Sequence, residues 1–394
     1  MARLGDCFCV IRNGASIKQM DDAGGLPITR IETISNREVD RSKLGYAGIK
    51  DAQKYQDYLL QDCDILMSHI NSTKHLGKVA IYRKKENEQI IHGMNLLMLR
   101  ANQSVICPQY AFYYFDSDDF KRQILRITKN SVNQASFTVT ALKELKIPLP
   151  PLGEQRKIAA VLDKISDLIA KRRRQLDKLD ELVKSRFVEM FGDCRKNPKG
   201  WKICRLGDIA DVGSSKRVFV DELQDKGIPF YRGTEIGALA EGQKITPELY
   251  ITESHYQELR NATGAPQIGD LLMPSICPDG RIWLVDTNLP FYFKDGRVLW
   301  VHNIDKNFDS TFLLYTLKDR IVTDYDNIAS GTTFAELKIF ALKQCCVFDV
   351  PIKQQRKFAK LVEKINGLKL VTDKSLIALE TLKKSLMQEY FFAR

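Results

Sequence analysis

The chain contains one internal repeat, and this repeat constrains the fold more than any other feature of the sequence. Five segments of the first half recur in the second half, in the same order and at offsets of 200 to 206 residues. Arg3-Leu-Gly-Asp6 recurs as Arg205-Leu-Gly-Asp208, and Leu182-Val-Lys-Ser185 recurs as Leu382-Lys-Lys-Ser385. Solenoid repeats are only about 20–50 residues long, so each copy is a whole domain followed by a helix.

The length agrees with this division, because 394 residues exceed the roughly 100–200 residues of one domain. We predict four segments, which are a first domain, a first long helix, a second domain and a second long helix. Their boundaries are 1–152, 153–191, 192–350 and 351–394.

Both helical segments carry an apolar stripe with the spacing of a coiled coil. Residues 154–191 contain no Gly or Pro, and apolar residues recur at alternating steps of three and four, with Arg172 as an interruption. A helix with such a stripe needs an apolar partner in water, so we predict that the two helices pack antiparallel. The alternative is that each helix lies across its own domain. The predicted helix–helix seam consists of Leu162, Ile165, Ile169, Leu176, Leu179, Val183, Ile365, Leu368, Leu376, Leu379, Leu382 and Leu386.

The two globular segments mix short strands with helices. Val298-Leu-Trp-Val301 and Leu96-Leu-Met-Leu99 are typical of buried strands, and residues 310–320 and 119–129 are typical of helices. The predicted fold class is therefore α+β. Two similar mixed α/β domains are separated by a spacer of two long antiparallel helices, with a pseudo-two-fold internal repeat.

The charge favours a polyanionic partner. The chain has 60 Lys and Arg against 49 Asp and Glu, a net charge of +11. Residues 192–350 carry 19 basic against 22 acidic residues, so a nucleic-acid contact there requires a local patch. The apolar runs are far shorter than the ~18 residues of a membrane span, and residues 1–6 lack the apolar stretch of a signal peptide. We therefore expect a cytoplasmic protein.

Motifs that would indicate an enzyme are missing from the sequence. There is no Gly-x4-Gly-Lys-Ser/Thr loop for phosphates and no Asn/Asp-Pro-Pro-aromatic loop of an adenine methyltransferase. Glu144-Leu-Lys146 and Glu336-Leu-Lys338 resemble part of a nuclease motif but lack a matching upstream Pro-Asp. The five histidines show no metal-binding spacing. We predict neither catalytic nor metal-binding residues.

Three segments resemble a known family. They are Ile147-Pro-Leu-Pro-Pro-Leu-Gly-Glu-Gln-Arg-Lys-Ile-Ala159, its copy Val350-Pro-Ile-Lys-Gln-Gln-Arg-Lys-Phe-Ala359, and Trp201-Lys-Ile-Cys-Arg-Leu-Gly-Asp-Ile-Ala210. They are similar to the specificity subunits of Type I restriction–modification systems, and the resemblance covers essentially the whole chain.

The resemblance implies a non-catalytic subunit in which two target recognition domains each read one half of a split sequence in double-stranded DNA. The divergence between the domains makes the predicted target asymmetric. The subunit would recruit two modification subunits, which methylate adenine with S-adenosylmethionine, and translocating restriction subunits. S-Adenosylmethionine, ATP and Mg²⁺ are expected only in those partners, so no cofactor is expected here.

The family's DNA-reading residues vary with the target, so candidates come from side-chain chemistry. Arg, Lys, Asn and Gln pair with base edges, while Lys, Ser and Thr hold phosphates. Ordinary polar loop residues are the competing explanation for each candidate. The DNA-binding residues predicted from matched loops are Arg30, Asn71, Thr73, Lys74 and His75 in the first domain and Arg232, Thr234, Ser275 and Arg281 in the second.

Two other hypotheses remain open from the sequence alone. The chain could be a nuclease or methyltransferase with an unrecognised active site. It could also be a protein–protein adaptor whose basic helices bind an acidic partner.

Overall fold

The chain divides into two compact units. Unit 1 consists of Met1–Arg174 and Asp373–Arg394, and unit 2 consists of Gln175–Thr372. The boundaries fall inside the two long helices, whereas the sequence division placed them at the helix ends. The computed structural model describes residues 1–19, 25–35, 37–130, 134–193, 195–331 and 335–392.

Unit 1 is a mixed α/β structure built on one large sheet. Its strands are β1 (Ala2–Arg3), β2 (Phe8–Asn13), β3 (Pro27–Ile28), β4 (Ile34–Ser35), β5 (Glu38–Val39), β6 (Gly45–Tyr46), β7 (Ile65–Ser68), β8 (Ile70–Asn71), β9 (Val79–Ile81), β10 (Leu96–Ala101), β11 (Lys129–Asn130), β12 (Ala135–Ser136) and β13 (Lys146–Ile147). Its helices are α1 (Leu4–Cys7), α2 (Pro108–Tyr114), α3 (Asp118–Ile127), α4 (Val139–Glu144), the first part of α5 (Leu152–Phe191) and the end of the last helix, α11 (Ile352–Phe391). Short 3₁₀ turns occur at Ile31–Thr33, Arg41–Lys43, Gln53–Tyr58 and Thr73–His75.

The central strand of the unit 1 sheet is buried on both faces. The strand order is β2-β10-β7-β9-β5-β4, and Leu99 on β10 lies opposite Ile65 on β7 in antiparallel register. Leu97 and Leu99 belong to one buried cluster, and Leu96 and Met98 belong to another. Alternate residues of a strand point to opposite faces, so an uninterrupted apolar run fits a strand covered on both sides. The strand predicted at residues 96–99 is confirmed.

Unit 2 repeats this plan. Its strands are β14 (Lys202–Arg205), β15 (Asp211–Gly213), β16 (Ile228–Tyr231), β17 (Tyr250–Ile251), β18 (Leu271–Pro274), β19 (Trp283–Leu284), β20 (Tyr292–Phe293), β21 (Val298–His302), β22 (Ala329–Ser330), β23 (Glu336–Leu337) and β24 (Cys346–Asp349). Its helices are the end of α5, α6 (Leu206–Ile209), α7 (Gly233–Ala240), α8 (Glu253–Thr263), α9 (Ser310–Ile328), α10 (Ile339–Lys343) and the first part of α11 (Ile352–Phe391). A 3₁₀ turn lies at Val220–Glu222. The main sheet has the order β15-β21-β18-β19, and β21 again buries both faces.

The two long helices begin in the same way in both copies. Each begins after a proline, because a proline is tolerated at a helix start but not in its interior. Gln155 is buried in the first turn of α5, where its side-chain Oε1 accepts a hydrogen bond from Cys107 N at 2.8 Å. Gln355 in α11 accepts from Asp309 N at 2.8 Å. Both amide groups also donate to two backbone carbonyl oxygens, which fixes each helix start to its own unit.

Within each unit, the two long helices pack against each other in antiparallel fashion. In unit 1, Leu162 at the start of α5 shares a buried cluster with Phe391 at the end of α11. In unit 2, Val183 near the end of α5 shares a cluster with Ile365 near the start of α11. The antiparallel contact predicted from the apolar stripes is therefore present in both units.

Two leucines assigned to the seam lie outside it. Leu368 is 56% exposed and Leu382 is 47% exposed. The positions one residue later, Lys369 and Lys383, are half-buried instead and continue the spacing of three and four from Ile365. A lysine can occupy such a position because its methylene stem covers apolar surface while the ammonium group reaches out.

The ammonium groups of these two lysines have partners within their own units. Lys369 forms an ion pair with Asp180, and the Lys383 nitrogen lies 5.6 Å from the centre of the Tyr113 ring. Burial lowers the pKa of Lys383. The remaining predicted seam residues are buried (Leu162, Ile165, Ile169, Val183 and Ile365) or half-buried (Leu176, Leu179, Leu376, Leu379 and Leu386).

None of the helices in the described part of the chain is long and apolar enough to span a membrane.

Candidate nucleic-acid interface

An exposed basic surface lies in unit 1 beside the 3₁₀ turn Thr73–His75. Thr73, Lys74 and His75 are all exposed in this turn, which follows β8. Thr73 and Lys74 line a cavity of about 530 Å³ together with Arg37, Lys78 and Lys121. We call these five lining residues the Lys74 surface. The structure thus brings two predicted residues together with three cations that the sequence analysis did not single out.

The cations of the Lys74 surface differ in whether a carboxylate of the protein already forms an ion pair with them. Arg37 forms an ion pair with Asp116 and stacks over the Phe112 ring at 4.4 Å. Lys121 Nζ lies 3.5 Å from Asp116 Oδ1. Within the described ranges, no acidic side chain forms an ion pair with Lys74 or Lys78. These two ammonium groups are therefore the ones best able to bind a phosphate group.

Two other predicted residues of unit 1 have partners inside the fold. Asn71 is half-buried at the end of β8, and its Oδ1 accepts a hydrogen bond from Ser72 N at 2.7 Å. Arg30 Nε donates to Gln19 Oε1 at 2.8 Å beside a different cavity, of about 300 Å³. Neither residue lines the cavity of the Lys74 surface.

In unit 2, the predicted residues Arg232 and Thr234 lie at the start of α7. Arg232 Nη2 lies 2.5 Å from Glu235 Oε1 and 2.9 Å from Glu248 Oε2, so two carboxylates hold the guanidinium group. Thr234 is exposed, and its hydroxyl donates to Glu235 Oε2 at 2.9 Å. Burial opposes ionisation of Glu235, but the bonds from Arg232 and Thr234 outweigh it and lower the pKa to about 2. A base or phosphate would have to displace these carboxylates from Arg232.

Arg281 lies against the same helix. Its Nε is 2.8 Å from Asp279 Oδ2, and its guanidinium group packs over Gly237 of α7. A Cβ atom at Gly237 would lie 3.0 Å from Arg281 Nη1, so the absence of a side chain there allows the close approach. The fold therefore brings Arg281 to the helix that begins beside Arg232 and Thr234, although Arg281 is distant from them in sequence.

The location of Ser275 contradicts its prediction as a DNA contact. Ser275 is only 2% exposed. Its carbonyl oxygen accepts from Leu337 N at 2.7 Å, and its own N donates to Arg297 O at 2.9 Å. In the repeat, Ser275 corresponds to the buried His69, whose carbonyl oxygen accepts from Phe137 N. This position is therefore part of the fold in both units.

Sequence reasoning missed Arg37, Lys78 and Lys121 for a physical reason. Lys121 lies on α3 and Arg37 beside β5, so only the packing of these elements brings them to the 3₁₀ turn. Lys78 was the exception and could be detected from sequence, because it lies four residues after Lys74.

The Lys74 surface offers binding groups rather than a reaction centre. Its side chains supply ammonium, guanidinium and hydroxyl groups, which bind phosphates and base edges. Within the part of the chain that the structure describes, no group of three His, Cys, Asp or Glu side chains could hold a metal ion. The nearby His69 is buried against Phe137, and burial lowers its pKa.

Comparisons with known proteins cover both units. The family model described as the type I restriction modification DNA specificity domain matches residues 1–180 and 198–381. The specificity subunit of the type I restriction enzyme MjaX from Methanocaldococcus jannaschii is 33% identical, over 98% of this chain and 90% of that protein. The EcoKI specificity subunit of Escherichia coli K12 is 23% identical over 46% of this chain and 40% of its own length.

Solved structures share the fold. The S subunit of a type I restriction–modification system from M. genitalium superimposes with a TM-score of 0.60 at 14% identity, covering 100% of this chain and 96% of that one. A chain from a study of the assembly of the type I R-M system gives a TM-score of 0.58 at 17% identity, covering 99% and 96%.

Proposed function

Because the chain belongs to the family of type I restriction–modification DNA specificity proteins, we propose that it reads a DNA sequence for a larger complex and catalyses no reaction itself. The observation that carries this proposal is the double match of the family model, once in each half of the chain. The repeat in the sequence and the repeated sheet in units 1 and 2 agree with two reading modules.

Each unit reads one half of a split, asymmetric target in double-stranded DNA. The asymmetry follows from the surfaces, since the segment that carries Thr73, Lys74 and His75 in unit 1 is shorter and different in sequence in unit 2. Gly280 of unit 2 corresponds to Gly77 of unit 1. The segment that ends at this glycine is Asn71 to Gly77 in unit 1, whereas in unit 2 it is the shorter Cys277-Pro-Asp-Gly280. Different side chains meet different base edges, so the two half-sites differ.

In unit 1, the Lys74 surface is the proposed DNA contact. Lys74 and Lys78 would bind phosphates, and Thr73 and His75 are exposed next to them. In unit 2, the proposed contact is the region around Thr234 on α7 and the neighbouring Arg281, where binding must compete with the internal ion pairs of Arg232 and Arg281. Arg30 and Asn71 remain candidates of lower accessibility.

The exposed sides of the two long helices are the proposed docking surface for modification subunits. Leu168 and Leu382 in unit 1, and Leu182 and Leu368 in unit 2, are exposed and each precedes a buried or half-buried position by one residue. With the seam residues at heptad positions a and d, all four leucines lie at position g. In an antiparallel helix pair, the g positions of both helices flank the same side of the seam. A partner that covers the pair in one unit would bury two large apolar side chains, and the repeat offers one such site per unit. Two modification subunits are therefore proposed, together with restriction subunits that join the assembly.

The reaction chemistry then belongs to the partners. S-Adenosylmethionine is proposed to bind to the modification subunits, and ATP and Mg²⁺ to the restriction subunits. The proposed compartment is the cytoplasm, because genomic DNA is the target.

Methylation mapping tests the proposed function directly. The chain is co-expressed with its modification subunit, and methylated adenines are mapped by long-read sequencing. We expect one two-part asymmetric motif that disappears when this chain is omitted. In parallel, the purified chain is incubated with DNA, Mg²⁺ and S-adenosylmethionine. Cleavage or methyl transfer by the chain alone would overturn the proposal and favour an enzyme.

A matched pair of variants tests the docking surface. Leu382→Ser should weaken association with the modification subunit at least about tenfold, because one exposed apolar contact is removed from the interface core. Ile377→Ser is the control, since Ile377 is 63% exposed on the same helix but does not flank the seam. Equal affinities of both variants in a pull-down titration would exclude this surface.

A further inference from the structure

A buried carboxylate in unit 1 is held by an internal arginine. Asp64 is 1% exposed, and it accepts hydrogen bonds from Arg100 Nε to Oδ1 at 2.9 Å and from Arg100 Nη2 to Oδ2 at 2.7 Å. Gln61 N also donates to Asp64 Oδ2 at 2.7 Å. Arg100 Nη2 also donates a hydrogen bond to the carbonyl oxygen of Leu59 at 3.0 Å. A planar guanidinium suits this arrangement because its donors match a carboxylate in pairs.

The repeat preserves the carboxylate in unit 2. Asp270 is 9% exposed, and Gln267 N donates to its Oδ2 at 2.9 Å, as Gln61 does to Asp64. The backbone around it also matches, because Val285 N donates to Asp270 O at 2.9 Å and Tyr82 N donates to Asp64 O at 2.8 Å. The two aspartates therefore occupy equivalent sites.

The arginine is not preserved. In unit 1, Leu99 lies opposite Ile65, so the next pair along the strands joins Arg100 to Asp64. In unit 2, Val301 lies opposite Leu271, which makes His302 the counterpart of Arg100. By the same register, Trp300 replaces Met98.

The replacement side chains leave the carboxylate without a permanent cation. Trp300 Nε1 donates to Asp270 Oδ2 at 2.8 Å, and the His302 ring stacks on Trp300 at 3.8 Å. Within the described ranges, no side chain forms an ion pair with Asp270, and no hydrogen bond reaches its Oδ1. Burial raises the pKa of Asp270, which is the effect expected for a carboxylate that lacks a compensating charge.

An open space lies next to the side chains that replace Arg100 and Met98 in unit 2. Asp270, Trp300 and His302 line a cavity of about 360 Å³. Ala265, the counterpart of Leu59 whose carbonyl oxygen accepts from Arg100, lines the same cavity. A carboxylate, an indole ring and the Ala265 residue thus line this space, and the equivalent carboxylate and residue in unit 1, Asp64 and Leu59, both bind the Arg100 guanidinium group.

We propose that this cavity in unit 2 binds a guanidinium cation, of the kind that an arginine side chain carries. The cation would donate to Asp270 Oδ1 beside the Trp300 ring and, with a second N–H, to the carbonyl oxygen of Ala265, as Arg100 donates to Leu59 O in unit 1. An ammonium group fits less well, because it lacks the planar fork of donors that would meet both acceptors. This inference stands independently of the proposed DNA reading, since it rests on the comparison of the two units alone.

The test follows the indole N–H signal of Trp300 by NMR in the full chain labelled with ¹⁵N-tryptophan, which contains three tryptophans. Trp300→Phe identifies the signal. N-Methylguanidinium chloride is added at constant ionic strength, and methylammonium chloride serves as the matched control. We expect a saturable shift with a dissociation constant on the order of 1 mM for the guanidinium compound only. The absence of a saturable shift, or an equal response to methylammonium, would overturn the proposal.

Two variants make the test specific. Asp270→Asn should weaken binding at least about tenfold, because a neutral amide cannot form a charge-assisted hydrogen bond with the cation. His302→Arg places an internal guanidinium where Arg100 lies in unit 1, so it should abolish the response to added cation and raise the melting temperature. If Asp270→Asn does not fold, His302→Arg decides, and unchanged binding by it would refute the site.

A third ligand identifies the source of the cation. N-Acetyl-arginine N-methylamide, which imitates an arginine within a polypeptide, should bind as tightly as methylguanidinium if the natural occupant is a partner's arginine. Binding of only the small cation would support a free guanidinium compound at the same site.

Discussion

The ring of Phe391, the last residue of α11, lies 5.2 Å from the ring of Tyr110 in the core of unit 1. Phe391 is fully buried and also meets the Tyr114 ring edge-on at 5.8 Å. In the same way Phe191, the last residue of α5, is buried in unit 2 and lies 4.8 Å from the Phe312 ring. The core of unit 1 is therefore complete only when the end of α11 is in place.

Phe391→Ala should lower the free energy of unfolding of unit 1 by about 3–5 kcal/mol, the usual loss for a buried phenylalanine. Phe392→Ala is the control, because Phe392 is 55% exposed and should change stability by about 0.5 kcal/mol. Urea unfolding followed by circular dichroism measures both. Similar losses for the two variants would mean that the end of α11 does not close the core.

Gln355→Ala should destabilise unit 2 by about 1–3 kcal/mol for each backbone group left without a partner. The amide of Gln355 binds Asp309 N, Asn307 O and Val350 O, and its side chain is fully buried. The neighbouring Gln354→Ala is matched in residue type and is exposed, so little change is expected. Thermal unfolding distinguishes the two, and an equal effect would contradict the role of Gln355 in fixing the helix start.

Ile365→Ala should cost about 2–5 kcal/mol, because Ile365 is 3% exposed in the helix seam of unit 2. Leu368→Ala, at a position 56% exposed, should cost about 0.5 kcal/mol or less in the isolated chain. Chemical unfolding of both variants tests the register of the seam. A larger loss for Leu368→Ala would restore the register inferred from the sequence.

The stability of unit 1 should fall as the pH drops from about 6.5 towards 4, because burial lowers the pKa of His92 to about 4. Between these values the unfolded chain binds a proton at His92 that the folded chain does not bind, so acid favours unfolding. Urea unfolding between pH 7.5 and 4.5 should show a smaller pH slope for His92→Gln than for the natural chain. His75→Gln, at an exposed position of the same unit, is the matched control variant. An unaltered slope in His92→Gln would refute this assignment.

Lys74→Ala should weaken binding to cognate and scrambled duplexes by a similar factor and reduce the salt slope by about 1, because Lys74 is the proposed phosphate contact. Lys85→Ala is the control, since Lys85 is exposed in the same unit but does not line the cavity. Fluorescence anisotropy with cognate and scrambled duplexes measures the effect. A loss confined to the cognate duplex would contradict phosphate binding and assign Lys74 to base reading.

The positions of the long helices could be predicted from local sequence. The prolines at 151 and 351 precede α5 and α11, and the repeated ends at Phe191 and Phe391 coincide with the last helical residues. The internal repeat also determined that the chain forms two similar units. These features depend on neighbouring residues and on periodicity, which are visible without any long-range contact.

The seam register and the candidate site depended on tertiary contacts. Apolarity favoured Leu368 and Leu382, whereas the helix geometry buries the stems of Lys369 and Lys383. Arg232 was predicted to contact DNA, but the fold places Glu248 within ion-pair distance of its guanidinium group. Ser275 was chosen as a loop hydroxyl, but β18 and its neighbours enclose it.

The sequence by itself thus determined the number of units and the start, end and amphipathic nature of each long helix, because these follow from short-range spacing. Tertiary structure alone decided which polar groups remain available to a ligand. Availability depends on charges and surfaces from distant segments, as when α3 brings Lys121 to Lys74, or when the replacement of Arg100 by His302 leaves Asp270 without a cation.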